Sequence, residues 1–488
     1  MSGTQCLEAF IMAKEYAIDM KKIQKVCTPF RKMVSDRFPV PRSIEVLKRL
    51  RKYEPRSMSG QPLAVWDHAS GVNVFDKYGN KWLDWSSGVL VANIGHSNPE
   101  IKKAMIKQIN HNLLHNYCFP SEARANLTEK ISKLLPKPLK KVFLLTTGSE
   151  AVEVCLKLAR TYGQKVADKK KIAIISFSAA FHGRTLGAQM IGGSPALKDW
   201  IVNMDKDLHN APFPNCYRCP WGKPNYQGCD TECFNNFSKF LNKKIGAKPK
   251  DKIAGIILES FQGGGATFAP KGFMKLLRKF CTANKILLIC DEVQAGFGRS
   301  GKMFSFQHYN IVPDLTTFGK GITSSMPLSA VAGRPDVMDI YEANTMTSTH
   351  TGNPICVAAA TANIDYMLKH KVVQNAAKVG AVLKSELFKI KERHSDIIGE
   401  VQGEGMVYGI HIVKEGSKDP DGDLAHLICG KCVEKGLMVF APVGLGGGTV
   451  KIAPPLIMTI PAIMDGVKCL EEAITEAKRE ILGEGDNL

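Results

Sequence analysis

The amino-acid sequence predicts an α/β protein, with a large domain built on a mainly parallel sheet flanked by helices and a smaller α+β domain. Three observations carry this. From about residue 100 to 350, strand-like apolar runs alternate with helical patterns, as parallel strands joined by crossover helices require. The apolar runs are short; those at 253–258 and 286–289 have the length of buried strands and not of membrane spans. Beyond residue 350 two long helical patterns are followed by short strand-like pieces and a final helix, the pattern of a compact α+β unit.

In chain order, residues 1–55 read as a Lys/Arg-rich, amphipathic N-terminal helical extension broken by Pro39 and Pro41. Residues 56–102 supply the first part of the small domain, with short strands across 63–85 and turns at Ala69-Ser70-Gly71 and Tyr78-Gly79-Asn80. A helix is expected at 99–108. The large domain, 103–365, contains a strand at 141–145, a helix at 149–162, and strands at 172–177, 253–258 and 286–290. A helix at 271–284 joins the last two, and a Cys-rich insertion covers 213–235. Helices at 354–370 and 372–393 lead into the C-terminal part, 366–488, with strands at 406–412, 437–440 and 450–452.

Bulk properties narrow the function. The 488 residues are 44% hydrophobic, enough for a large core and more than one domain. The formal charge of +19 raises nucleic-acid binding as a different class of function, but the basic residues are dispersed, as in Lys102, Lys103 and Lys107 or Lys169 to Lys171. They form no arm interleaved with aromatics, so a solvated surface that attracts anionic substrates fits better. Glu8, Glu15 and Asp19 weigh against a transit peptide, and a cytoplasmic protein without membrane attachment is expected. Fourteen cysteines in so long a chain do not make a disulfide scaffold; Cys155, Cys290 and Cys356 read as core thiols.

Three motifs carry chemistry together that none carries alone. The run Ile286-Leu-Leu-Ile-Cys-Asp-Glu-Val-Gln294 delivers an acidic pair at the carboxyl end of a buried strand; in isolation it is a cap or a turn. In Phe318-Gly-Lys-Gly-Ile322 a lysine sits between glycines; in isolation it is a turn lysine. Thr146-Thr-Gly-Ser-Glu150 opens a helix after a strand, where backbone N–H groups and the Ser149 hydroxyl can hold an anion. In isolation it is an ordinary N-cap, and Ser149 with Val152 makes no capping box. A lysine amine for a Schiff base, a carboxylate for a pyridine nitrogen and a phosphate cradle are the needs of pyridoxal phosphate.

The chain resembles the class III (subgroup II) pyridoxal-phosphate aminotransferases, the family of 4-aminobutyrate, ornithine and ω-amino-acid transaminases, from about residue 60 to 480. The matching stretches are Asp76 to Asp84, Asn93-Ile-Gly-His96 after Gly88, Thr147 to Glu150, Phe181-His-Gly-Arg184, Leu258 to Gly263, Asp291 to Gly301, Phe318 to Gly321 and Thr349 to Pro354. The resemblance implies fold type I of the pyridoxal-phosphate transferases and assigns roles. Lys320 forms the Schiff base and shuttles the proton, Asp291 pairs with the pyridine N–H, and Glu259 lies beside the ring. Val293 and Phe181 take opposite ring faces, His182 belongs to the cofactor set, and Gln294 lies near the ring hydroxyl. Gly148 and Ser149 hold the phosphate with Thr349 of a neighbouring subunit, which implies a homodimer, with a tetramer of such dimers as the alternative.

Two departures concern the substrate and a metal. Members that use 2-oxoglutarate carry a second glutamate where this chain has Gly264, and an arginine where it has Lys451. Lys451 reads either as a point-charge carboxylate binder or as a surface strand residue. The missing glutamate leans toward pyruvate as amino acceptor. Val89, Trp85 and Tyr117 are expected in the donor pocket, with plain core as the alternative. Cys216, Cys219, Cys229 and Cys233 have spacing that admits structural Zn(II), weighed against four free thiols or a disulfide pair. The expected reaction is ping-pong transamination from an ω-amino acid or amine to a 2-oxo acid. A racemase, epimerase or decarboxylating transaminase on the same scaffold is the alternative.

Overall fold

The computed structural model describes residues 14–222, 229–246 and 248–481. Parts of the expected N-terminal extension (1–13) and of the Cys-rich insertion (223–228) lie outside the described residues. The chain forms two compact units, one of Pro99–Gly263 with Thr267–Val373, the other of described residues 14–98, 264–266 and 374–481.

The first unit is built on a seven-stranded sheet. In chain order its strands are β1 (Lys141–Leu145), β2 (Ala173–Phe177), β3 (Leu208–Ala211), β4 (Ile253–Glu259), β5 (Leu287–Asp291), β6 (Leu315–Phe318) and β7 (Ser329–Gly333), laid out as β3-β2-β4-β5-β6-β7-β1. The pairs from β3 through β6 are parallel, and β7 pairs antiparallel with both β6 and β1. β2, β4 and β5 are buried at every position, which is why they read as unbroken apolar runs and not as alternation. Helix Gly148–Val166 covers the sheet with Val152, Cys155, Leu158 and Ala159, packed in one core with Ile174, Ile257, Ile289 and Val331. Removing that much apolar surface from water, at roughly 25 cal/mol per Å2, is the main term holding helix to sheet. Lys171 departs from the solvated-surface reading: it is buried, and its ammonium donates to the carbonyls of Lys250 and Asn284.

The second unit contains an antiparallel sheet of Ile398–Glu404, Val407–Ile412 and Thr449–Ile452, and a second sheet centred on Lys81–Asp84. Helices Gly422–Glu434 and Ile460–Ile481 pack on each other. The described part of the N-terminal extension is not the helix expected. Residues 14–43 run as short strands with a 3-10 turn at Pro41–Ser43, and the α-helix is confined to Ile44–Tyr53. Pro29, Pro39 and Pro41 deny the segment a helical ladder, and Lys32–Met33 lies between Val26–Cys27 and Lys81–Asp84 in the second sheet. Arg31 is anchored there by Asp465, 2.6 Å away. Among the described residues no helix is long and apolar enough to cross a membrane.

Candidate active site

The carboxyl ends of β4, β5 and β6 place three functional side chains on one edge of the parallel sheet, where ligands of such sheets bind. Glu259 ends β4, Asp291 ends β5, and the two stand in register. Asp291 is also in register with Thr317 of β6, and Lys320 begins a 3-10 turn just beyond that strand.

Asp291 is held from three sides. Its Oδ1 accepts the N–H of Val293 (3.0 Å) and the hydroxyl of Thr317 (2.9 Å). His182 Nδ1 lies 2.8 Å from Oδ2, and His182 Nε2 lies 3.1 Å from Ser176 Oγ. A carboxylate only accepts, so Nδ1 carries a proton toward Asp291, while Nε2 is within hydrogen-bond reach of the serine hydroxyl. Glu259 accepts the N–H of Phe181 (3.0 Å) and of Gly263 (2.8 Å). Burial, with Asp291 close by, pushes its carboxyl up to about 7. Burial also lowers the Lys320 amine, opposed by the charges of Asp291 and Glu259. Its backbone is left-handed, at φ 43°, a conformation costly for a side-chain-bearing residue and found where a site over-determines the chain.

Gly148 and Ser149 open the helix Gly148–Val166. The cap differs from the expected one: it is Thr147, in a reciprocal capping box with Glu150. Moving the cap two residues back frees the Ser149 hydroxyl, which accepts the N–H of Arg184 at 3.2 Å. The chain is close-fitted here. A Cβ on Gly148 would come within 2.8 Å of the Val293 side chain, and one on Gly183 within 2.2 Å of Ser149 Oγ. Phe181 is half-buried with the Arg184 guanidinium 5.6 Å above its ring, Gln294 is half-buried against Gly263, and Thr349 is exposed. This cradle fits pyridoxal phosphate: a depressed amine, a tethered carboxylate and a helix N-terminus with a hydroxyl.

The substrate set is divided. Tyr117 is in the first unit, at φ 47°, its hydroxyl 3.1 Å from Thr347 Oγ1. Trp85, Val89 and Lys451 are in the second. Trp85 is fully buried, its backbone bonded to Met438 and Ala453, and a Cβ on Gly466 would strike its indole at 2.3 Å, which fits the plain-core alternative. Val89 is 44% exposed in a left-handed turn. Lys451 is not a surface residue; it is buried, with its ammonium 5.9 Å from the Phe440 ring centroid. In the Cys-rich segment, burial and the neighbouring thiols of Cys229, Cys219 and Cys216 push the Cys233 thiol up to about 12. Among the described residues no group of three or more His, Cys, Asp or Glu is arranged to hold a metal ion.

Two contributors escape sequence reading. Thr317 and Ser176 are small polar residues inside apolar strands, and nothing local in the sequence marks which carboxylate or imidazole they meet.

Comparison with known proteins agrees with this geometry. The sequence model of the class-III aminotransferases matches residues 56–474. The alanine/serine racemase of Pyrococcus horikoshii is 32% identical, over 90% of this chain and 91% of the relative. The 4-aminobutyrate aminotransferase of Mycobacterium leprae is 31% identical, over 91% and 98%. The structure of an (S)-enantioselective ω-transaminase from Thermomicrobium roseum superposes with a TM-score of 0.79 at 27% identity, over 88% of this chain and 95% of that one. Fold and site define a pyridoxal-phosphate-dependent enzyme of fold type I. The chain belongs to the class-III aminotransferase family, and amino-group transfer is its chemistry.

Proposed function

We propose that the enzyme moves an amino group from an ω-amino acid or amine, of the 4-aminobutyrate kind, to a 2-oxo acid by a ping-pong route through Lys320. The observation that supports it is the meeting of a burial-depressed Lys320 with Asp291 at adjacent strand ends. Bound through Lys320, pyridoxal phosphate supplies an electron sink for the carbanion formed at the substrate carbon. Asp291, held by His182, Thr317 and Val293, keeps the pyridine nitrogen protonated. Gly148 and Ser149 take the phosphate. Phe181 and Val293 would hold the two ring faces, and Gln294 and Glu259 would stand at its edge. Lys320, once released by the incoming amine, moves the proton at the substrate carbon, which its lowered pKa suits.

Pyruvate is the favoured acceptor. Gly264 offers no carboxylate to pair with a cation in the resting state, and Lys451 presents a point charge and not a fork. Val89 and Tyr117 contact the donor. Exposed Thr349 serves the phosphate site of a second copy, so the working unit is a homodimer, in the cytoplasm. A domain reading with a small domain of 56–102 and 366–488 and a large one of 103–365 goes with this. Half-reactions test the proposal: the cofactor-loaded enzyme is mixed with candidate amines, and its aminated form with pyruvate or 2-oxoglutarate, while spectra are followed. Fast reaction with 2-oxoglutarate alone would overturn the acceptor preference.

The likeness to an alanine/serine racemase supports a second reading, inversion of an α-amino acid on the same lysine. Loss of optical rotation from L-alanine or L-serine with no oxo acid present would select it.

A further inference from the structure

The acidic pair at the end of β5 points two ways. Asp291 serves the cofactor edge; Glu292 turns into the fold and is fully buried. Its Oε2 accepts the N–H of Ser305 and its Oε1 the N–H of Phe306, each at 2.8 Å. Its own N–H donates to the Thr317 carbonyl at 3.1 Å. These are the opening N–H groups of the 3-10 turn Ser305–Tyr309, which have no partner within the turn itself.

The turn held in this way reaches the neighbouring strand ends. The Tyr309 hydroxyl donates to the Ser260 carbonyl at 2.7 Å and accepts the Ala269 N–H at 3.2 Å. Ser260 directly follows Glu259. On the other side, the rings of Phe304 and Phe297 lie 5.1 Å and 5.5 Å from that of Phe318, two residues before Lys320. One buried carboxylate therefore ties together the backbone beside Glu259, Asp291 and Lys320.

We propose that Glu292 is a positioning residue for amino transfer: through the turn Ser305–Tyr309 it sets the mutual placement of Glu259, Asp291 and Lys320, without touching cofactor or substrate. The inference rests on the assignment of Asp291 and Lys320 to the cofactor. The need for an acid, and not an amide, follows from the two N–H groups it serves. A carboxylate offers an acceptor to each; a glutamine offers one acceptor and turns a donor toward the other. Glu292→Gln thus keeps the volume and breaks one of the two bonds. A misplacement of about 1 Å at reacting groups can slow chemistry about a hundredfold, so a partial shift is expected to cost about tenfold.

The test compares cofactor-loaded wild type, Glu292→Gln and Tyr309→Phe, with Lys320→Ala as control. In Glu292→Gln the pH midpoint of the visible band of the lysine-bound cofactor should shift by about half a unit or more, the cofactor dissociation constant should rise about tenfold, and the amine half-reaction should slow about tenfold. Tyr309→Phe should move the same readouts in the same direction, by less. A folded Glu292→Gln with a lower melting temperature but an unchanged band midpoint and cofactor affinity would overturn the proposal and leave Glu292 a purely structural acid. If Glu292→Gln does not fold, an unshifted midpoint and affinity in Tyr309→Phe would overturn it equally. A visible band that persists in Lys320→Ala would instead overturn the cofactor assignment itself.

Discussion

His182 Nδ1 stands 2.8 Å from Asp291 Oδ2, and both side chains are buried. Because Asp291 Oδ1 is already taken by Val293 and Thr317, Oδ2 is the oxygen that His182 orients. His182→Ala leaves that oxygen and the Ser176 hydroxyl without their shared partner. The loss should weaken cofactor binding by about 1–3 kcal/mol, the cost of an unpaired buried polar group. Titration of cofactor-free protein with pyridoxal phosphate reads this directly, and unchanged affinity would remove His182 from the site.

Lys320→Ala should abolish the absorption near the visible edge and reduce turnover by several orders of magnitude, since it removes the amine that the site supplies to bond the cofactor. The substitution leaves the left-handed backbone at φ 43° as strained as before, so the melting temperature of the cofactor-free protein should change little. Spectra and differential scanning calorimetry on one preparation separate the two effects.

The parallel sheet was legible because β2, β4 and β5 are buried at every position and are mostly apolar, with their acids at the strand ends. β6 and β7, with sequences LTTF and SAVAG, were not legible. Their threonines and small residues are set by Asp291 and by packing across the sheet, not by a local pattern. The cofactor residues could be found from their order at strand ends. The cap at Thr147 could be found too, since Thr147-Gly-Ser-Glu150 has capping-box spacing, and the Glu150 carboxylate folds back onto the Thr146 and Thr147 N–H groups. The burial of Trp85 and Lys451 was not legible for a related reason: an aromatic or a lysine near a strand gives no sign of which side it buries.

Glu259 makes stability depend on pH. Its folded pKa, about 7, lies above the ordinary 4.5, so the folded chain retains a proton that the unfolded chain has released. That contribution is complete below about pH 4.5 and is lost as pH rises through about 7. Glu292, raised to about 7 by burial, adds in the same direction. Unfolding free energy of cofactor-free protein should therefore fall between pH 5 and 8, with each carboxyl contributing on the order of 1–3 kcal/mol. Glu259→Gln should flatten the slope; a denaturation series with identical slopes for both proteins would contradict it.

The four thiols of the Cys-rich segment make a separate claim about metal. Burial and the neighbouring thiols push the Cys233 thiol up to about 12, away from the thiolate that a metal binds, so prolonged dialysis against a chelator should leave the melting temperature within about 1 °C. A drop of about 10 °C, reversed by Zn(II), would show that the thiols close on a metal in solution.

Ser87, Gly88, Val89 and Leu90 form a left-handed turn, with φ of 50°, 56°, 62° and 63°. A β-branched residue is the least suited to that region, at a cost of about 1–2 kcal/mol. Val89 is 44% exposed, so burial of its side chain does not offset the cost. Strain kept without packing points to a use for the side chain itself, which the donor-pocket assignment supplies. Val89→Gly relieves the strain and removes the side chain together. The variant should be as stable as wild type or up to about 1 kcal/mol more stable, while its preference among donor amines, read as the ratio of half-reaction rates for a small and a bulky amine, moves toward the bulky one. Lower stability with an unchanged ratio would mean that Val89 holds the turn together and takes no part in choosing the donor.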